Sequence, residues 1–258
     1  MNELISYKPV APKAVFVLFT VIIIFSKCYS PENQIEKDNG FNKELSEKLF
    51  TINNEDSMLT ILQKFVDEKN EVGKMICYKH LGSIQRSNAR YPDAIHSHRQ
   101  GLNIALQLND TIEIVQAMNN LGINYRRIGA YNESSQHHYQ ALFYTETWSG
   151  ADTPTGIENR SKSLNGIGNV SLLIGFYNDA EKKFREALKY EIELKNFREQ
   201  AINYANLGTV FEMHHQYDSA YVYYEKSLKL SKSANSEIGV ALSYISFGNL
   251  YEKNNSTI

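Results

Sequence analysis

The chain has 258 residues, with 27 basic and 29 acidic side chains and a formal net charge of −2, which leaves no basic stripe for nucleic acid. Five prolines and fourteen glycines are few for a turn-rich all-β fold. Two cysteines, Cys28 and Cys77, cannot build a disulfide framework or a four-ligand zinc site, so the fold must rest on burial of apolar surface.

Lys8 and Lys13 precede AVFVLFTVIIIF, a run from Ala14 to Phe25 in which Thr20 is the only polar residue. A bilayer-crossing helix needs about 20 apolar residues and a signal-peptide core about 7–15, so residues 1–30 read as a signal peptide or membrane anchor. The expected location is exported or attached to the cell envelope, periplasmic or membrane-anchored. Three readings of the anchor stand side by side. Cys28 is lipidated, as at a bacterial lipoprotein signal, although Lys27 stands where a small residue is usual. Cleavage follows Ser30, just ahead of Pro31. Or the segment is retained, with flanking side chains reaching the interface.

Residues 31–70 read as a linker and N-terminal capping helices. PENQIEKDNG, residues 31–40, is the linker, and Phe41–Thr51 and Asp56–Lys69 are amphipathic stretches that form a cap or a degenerate first repeat.

From residue 71 to 258 the chain repeats itself. KHLGSIQ, NNLGINY, NGIGNVS, ANLGTVF and ISFGNLY align on Gly82, Gly122, Gly168, Gly208 and Gly248, at intervals of 40, 46, 40 and 40 residues. The longer interval contains SGADTPTGIEN, Ser149 to Asn159, which reads as an inserted loop. Nine residues after each of the first four glycines stands a tyrosine: Tyr91, Tyr131, Tyr177 and Tyr217. Pro92, Asn132, Asn178 and Asp218 follow as helix starters. Small residues recur at Ala94, Ser134, Ala180 and Ala220, and again at Gly101, Ala141, Ala187 and Ser227. Each unit therefore reads as two helices of about 16–18 residues joined by short turns. Five helix-interior glycines cost on the order of 5 kcal/mol. Close approach of the paired helix, with the small columns facing the glycines, is the expected compensation.

Tyr204, Leu207, Gly208, Phe211, Ala220 and Tyr224 resemble the tetratricopeptide repeat, as do Leu164, Ile167, Gly168, Ala180, Phe184 and Ala187. His98 and His138 replace the aromatic of the second helix, and Ser171 that of the first. The resemblance covers about Glu71 to the C-terminus. It implies an all-α, right-handed superhelical solenoid of antiparallel helix pairs, with four full repeats and one half repeat. It further implies a protein- or peptide-binding module whose first helices line a concave groove, like the repeat sensor part of bacterial regulators. By register the groove residues are Lys79, Arg86, Asn119, Asn120, Arg126, Arg127, Asn165, Asn169, Asn206 and Asn249. Carboxamides can pair with both sides of a peptide unit, and paired arginines can clamp an acidic or C-terminal group. The same asparagines could instead bridge neighbouring helices.

The fifth unit supplies a first helix, Ser236 to about Lys253, and Thr257 occupies the next tyrosine column. Truncation of a longer regulator that carries an output domain is one reading. Self-association or another partner at the aromatic face of this helix is the other.

Catalytic signatures are not found. There is no Gly-x-Ser-x-Gly elbow and no phosphate loop, and Gly166-Ile-Gly168 lies within a helical repeat. His96, His98, His137 and His138 lie on adjacent second helices, where packing or solvated roles are the default. The expectation is a non-enzymatic module without cofactor or metal, acting as scaffold or sensor in a signalling system. A structural assembly protein without a peptide ligand is the alternative.

Overall fold

In the computed structural model, residues 44–255 are described, and the elements among them are helices. A short helix α1 covers residues 44–50. It is followed by α2 (Glu55–Asp67), α3 (Glu71–Ser87), α4 (Tyr91–Leu108), α5 (Thr111–Arg127) and α6 (Tyr131–Thr147). Then come α7 (Pro154–Leu173), α8 (Tyr177–Glu193), α9 (Phe197–Met213), α10 (Tyr217–Ser233) and α11 (Glu237–Asn255). The pairs α3–α4, α5–α6, α7–α8 and α9–α10 pack within units, and each second helix packs on the next unit's first helix. First helices also touch one another, α5 with α7, α7 with α9 and α9 with α11, which places them on the inner side of the array. The chain is an all-helical solenoid of the expected class.

The two helices of a unit start differently. First helices are capped by side chains: Asn70 accepts from Gly73 N at 2.8 Å, Asp110 from Glu113 N at 3.0 Å, Thr153 from Gly156 N at 3.2 Å and Asn196 from Glu199 N at 3.3 Å. Second helices have no side-chain cap. Tyr91, Tyr131, Tyr177 and Tyr217 are their first residues, so Pro92, Asn132, Asn178 and Asp218 lie inside the first turn rather than at its entrance. The preceding turn is closed by the backbone alone. Ala89 N donates to Arg86 O and Arg90 N to Gln85 O, with Ala89 left-handed at φ 58°. Gly129, Gly175 and His215 repeat that conformation in the later units.

The inserted segment is not a loop throughout. Thr153 caps α7 and Pro154 is its first residue, so 154–159 form its first turns and α7 reaches 20 residues. A threonine followed by proline is a helix start, and it outweighs the loop composition of the stretch around it. Trp148 closes α6, and its indole packs over Gly150.

The register glycines are notches for rings, not for the small columns. A Cβ on Gly82 would lie 2.6 Å from the His98 ring, on Gly122 2.5 Å from His138, on Gly168 2.7 Å from Phe184 and on Gly208 2.5 Å from Tyr224. Each ring is sixteen residues further on, in the second helix. His98 and His138 thus pack where Phe184 and Tyr224 pack, 1% exposed. Ala94, Ser134, Ala180 and Ala220, all 0% exposed, let the helices approach beside the rings. No helix among the described residues is long and apolar enough to cross a membrane. The apolar run 14–25 and Cys28 lie outside the described residues.

Candidate functional site

The inner face is stitched across units by polar side chains. Lys79 Nζ on α3 pairs with Glu113 Oε1 on α5 at 2.6 Å, largely shielded from solvent. Arg86 Nη1 donates to Asn120 Oδ1 at 2.8 Å. Between α5 and α7, Asn119 Nδ2 donates to Ser163 Oγ at 3.0 Å, and Asn119 Oδ1 lies 2.9 Å from His138 Nδ1. Between α7 and α9, Asn165 Nδ2 donates to Asn203 Oδ1 at 2.9 Å. Asn169 Nδ2 donates back to Asn165 Oδ1 at 2.7 Å. Asparagines in this register therefore hold neighbouring first helices together.

One cavity opens among α5, α7 and α9, with a volume of about 390 Å³. It gathers Asn119, Asn120, Arg126, Asn165 and Asn169 from the register positions, together with Gln116 and Lys162. Its wall also holds Asn159, Gly166, Glu199 and Ile202, and His138 reaches it from the second helix. Gly166 makes that possible. The His138 ring lies against Gly122 on one side and Gly166 on the other, with no room for a side chain at either. The other register residues lie elsewhere. Lys79 is spent in its ion pair, Arg86 borders the site through Asn120, and Arg127 is exposed outside the cavity. Asn206 is half-buried with Nδ2 unpaired, and Asn249 is exposed on α11. Asn119 is 6% exposed and fully engaged, so it serves as a bridge rather than as a free groove group.

The cavity brings the cations Arg126 and Lys162 together with Glu199, and Lys162 Nζ is paired with Glu158 Oε1 at 2.5 Å. Arg126 is half-buried and its Nε has no partner. Burial and the neighbouring Arg127 lower the pKa of Arg126, and the same two causes act on Arg86. Burial, then Arg126, then His137 hold His138 at about 3, so its ring is neutral. Among the described residues no three His, Cys, Asp or Glu side chains are placed to share a metal ion. His137 instead stacks on Tyr125, ring centroids 5.3 Å apart.

Residues 114–146, which span α5 and α6, match the tetratricopeptide repeat family model. A search of curated protein sequences finds no match. Among solved structures the chain is similar to BtubC (BKLC) from P. vanneervenii at 17% identity, over 88% of this chain and 85% of that one, with a TM-score of 0.59. It is similar to aspartyl phosphate phosphatase F from Bacillus subtilis at 14% identity, over 87% of this chain and 64% of that one, with a TM-score of 0.64. A kinesin light chain repeat protein from Podosopora anserina matches at 12% identity, over 81% of this chain and all of that one, with a TM-score of 0.53. The matched unit and the recurrence of the same helix pair along the array show a chain built of tetratricopeptide-type repeats.

Proposed function

We propose that the cavity among α5, α7 and α9 binds a protein or peptide segment through a carboxylate, and that the chain is a non-catalytic scaffold or sensor module of a signalling system. Arg126 carries this reading. A guanidinium that is half-buried, short of a partner and beside a second arginine is stabilised by an incoming anion. Gln116, Asn120 and Lys162 line the same cavity and offer donors to a peptide backbone. Export or membrane attachment belongs to the same proposal. Its support is Lys8, Lys13 and the apolar run from Ala14 to Phe25.

The test uses a fluorescent peptide with acidic C-terminal residues and a free α-carboxylate, followed by anisotropy. The wild type is expected to bind saturably. Arg126→Ala with Arg127→Ala is expected to weaken binding at least tenfold, and because Arg126 is half-buried the affinity is read well below the variant's own melting transition. Equal affinity in the double variant would remove the site.

A second reading, structural assembly without a peptide ligand, is favoured by the aromatic face of α11. Tyr244 and Tyr251 there are 57% and 72% exposed.

A further inference from the structure

The fifth register glycine differs from the other four. Gly248 on α11 is exposed, and no atom lies within 4 Å of the place a Cβ would occupy. The surface around it is the α8–α9 surface moved on by one 40-residue step. Tyr204, Gly208 and Phe211 become Tyr244, Gly248 and Tyr251, and Tyr177 and Leu188 become Tyr217 and Leu228. The first surface has an occupant within this chain, and that occupant is α10. Tyr223 stacks on Phe211 at 5.0 Å between centroids and packs on Tyr204 at 6.2 Å. Tyr224 fills the Gly208 notch, and Lys226 Nζ lies 5.6 Å from the Tyr204 ring centre. On the second surface the matching positions border an open cavity of about 650 Å³.

We infer that this face takes up one amphipathic helix of a partner molecule, laid against α11 as α10 lies against α9. The helix carries two adjacent rings, a small residue four before and another three after the second ring, and a lysine or arginine two after it. The second ring enters the notch at Gly248, and the first lies between Tyr244 and Tyr251. At the rim of the cavity Glu225 and Asp218 of α10 stand in place of Arg185 and Asn178 of α8 and favour a basic side chain on the incoming helix, while Lys232 already lies 6.0 Å from the Tyr244 ring centre. The contact lies on a different face from the α5–α7–α9 cavity and does not depend on it.

Among the described residues a second copy of the chain has no such helix to offer. A small residue, a ring four later and a small residue three after that occur within one described helix only in α4, α6, α8 and α10. Their rings, His98, His138, Phe184 and Tyr224, already fill glycine notches. In α11 the matching frame fails, because Phe247 is followed three residues later by Leu250.

The probe is a labelled synthetic peptide with the α10 sequence, YDSAYVYYEKSLKLSKS, titrated with the full chain. Saturable binding is expected. The same peptide with alanine in place of Tyr224 is expected to bind at least tenfold more weakly. Gly248→Leu fills the notch from open space, so far-UV circular dichroism and melting should hold while the peptide affinity falls at least tenfold. If that variant melts early, Glu225→Lys at the exposed rim reads the same contact through charge and should also weaken binding. The inference is overturned by no saturable binding, or by equal binding to Gly248→Leu and Glu225→Lys. It is equally overturned by a concentration-dependent dimer of the wild type that Gly248→Leu abolishes, which would make a second copy the occupant.

Discussion

Acid should unfold this protein through two buried imidazoles. His98 and His138 are each 1% exposed and fill glycine notches. Burial, aided by Arg86 and Lys79, holds His98 at about 3, and burial, aided by Arg126 and His137, holds His138 at about 3. In the unfolded chain both titrate near 6.5. Below that pH the unfolded state takes up protons that the folded state refuses until about pH 3. Stability is therefore full above 6.5 and falls as the pH drops towards 3. Between pH 7 and pH 5 each ring loses about 2 kcal/mol, so the pair loses about 4 kcal/mol. For a chain of this size that lowers the melting temperature by roughly 10 °C. Urea unfolding followed by circular dichroism at pH 7, 6 and 5 measures the loss directly. His98→Phe puts in the ring that Phe184 provides in the third unit and should remove about 2 kcal/mol of the pH dependence, to which His80, held at about 4 by burial, also contributes. A change below about 1 kcal/mol between pH 7 and 5 would refute the neutral buried rings. So would a His98→Phe variant as acid-sensitive as the wild type.

Two further outcomes follow from the same packing. Gly208→Ala and Gly248→Ala make the same substitution in the same register and should act in opposite directions. The first drives a Cβ to 2.5 Å from Tyr224 and should cost about 1–3 kcal/mol, while the second meets nothing and should gain up to about 1 kcal/mol of helix propensity; thermal melts of the two variants check the pair. Glu191 is 1% exposed, and burial raises its pKa, so the folded state keeps its proton to higher pH than the unfolded state does. Stability is lost as pH rises past the unfolded value near 4.3, and Glu191→Gln should raise stability at pH 7 and flatten that loss in a urea titration.

The period, the helix pairs and the turns were legible because they rest on local signals. Glycine and tyrosine columns forty residues apart need no knowledge of what packs on what. The partner of each glycine was harder to read. The sixteenth residue on is a histidine twice, a phenylalanine once and a tyrosine once, so the column looks mixed until all four rings are seen in equivalent notches. Thr153-Pro154 carried a helix start inside a stretch whose composition reads as a loop, and α7 consequently begins early enough to bring Asn159 to the cavity wall. Register alone could mark Asn119, Asn120, Asn165 and Asn169 as inward. It could not show that Asn119 is consumed by His138 and Ser163, which depends on how closely α5 and α7 approach. Gly166 gave a signal of its own. It stands in the column of His80, Asn120, Asn206 and Ser246, where it alone has no side chain, and that vacancy admits His138 to the groove.

The clasp of His138 between Gly122 and Gly166, tied through Asn119 to Ser163, also has a mechanical meaning. In an array where each unit touches only its neighbours, tension applied at the ends parts the weakest junction first. The junction of the second and third units is locked by a ring, two notches and a polar bridge, whereas α11 offers an unfilled notch at the far end. Pulled, the solenoid should peel inward from its ends and keep the curvature of its centre longest, so the cavity would hold its shape while the outer units stretch.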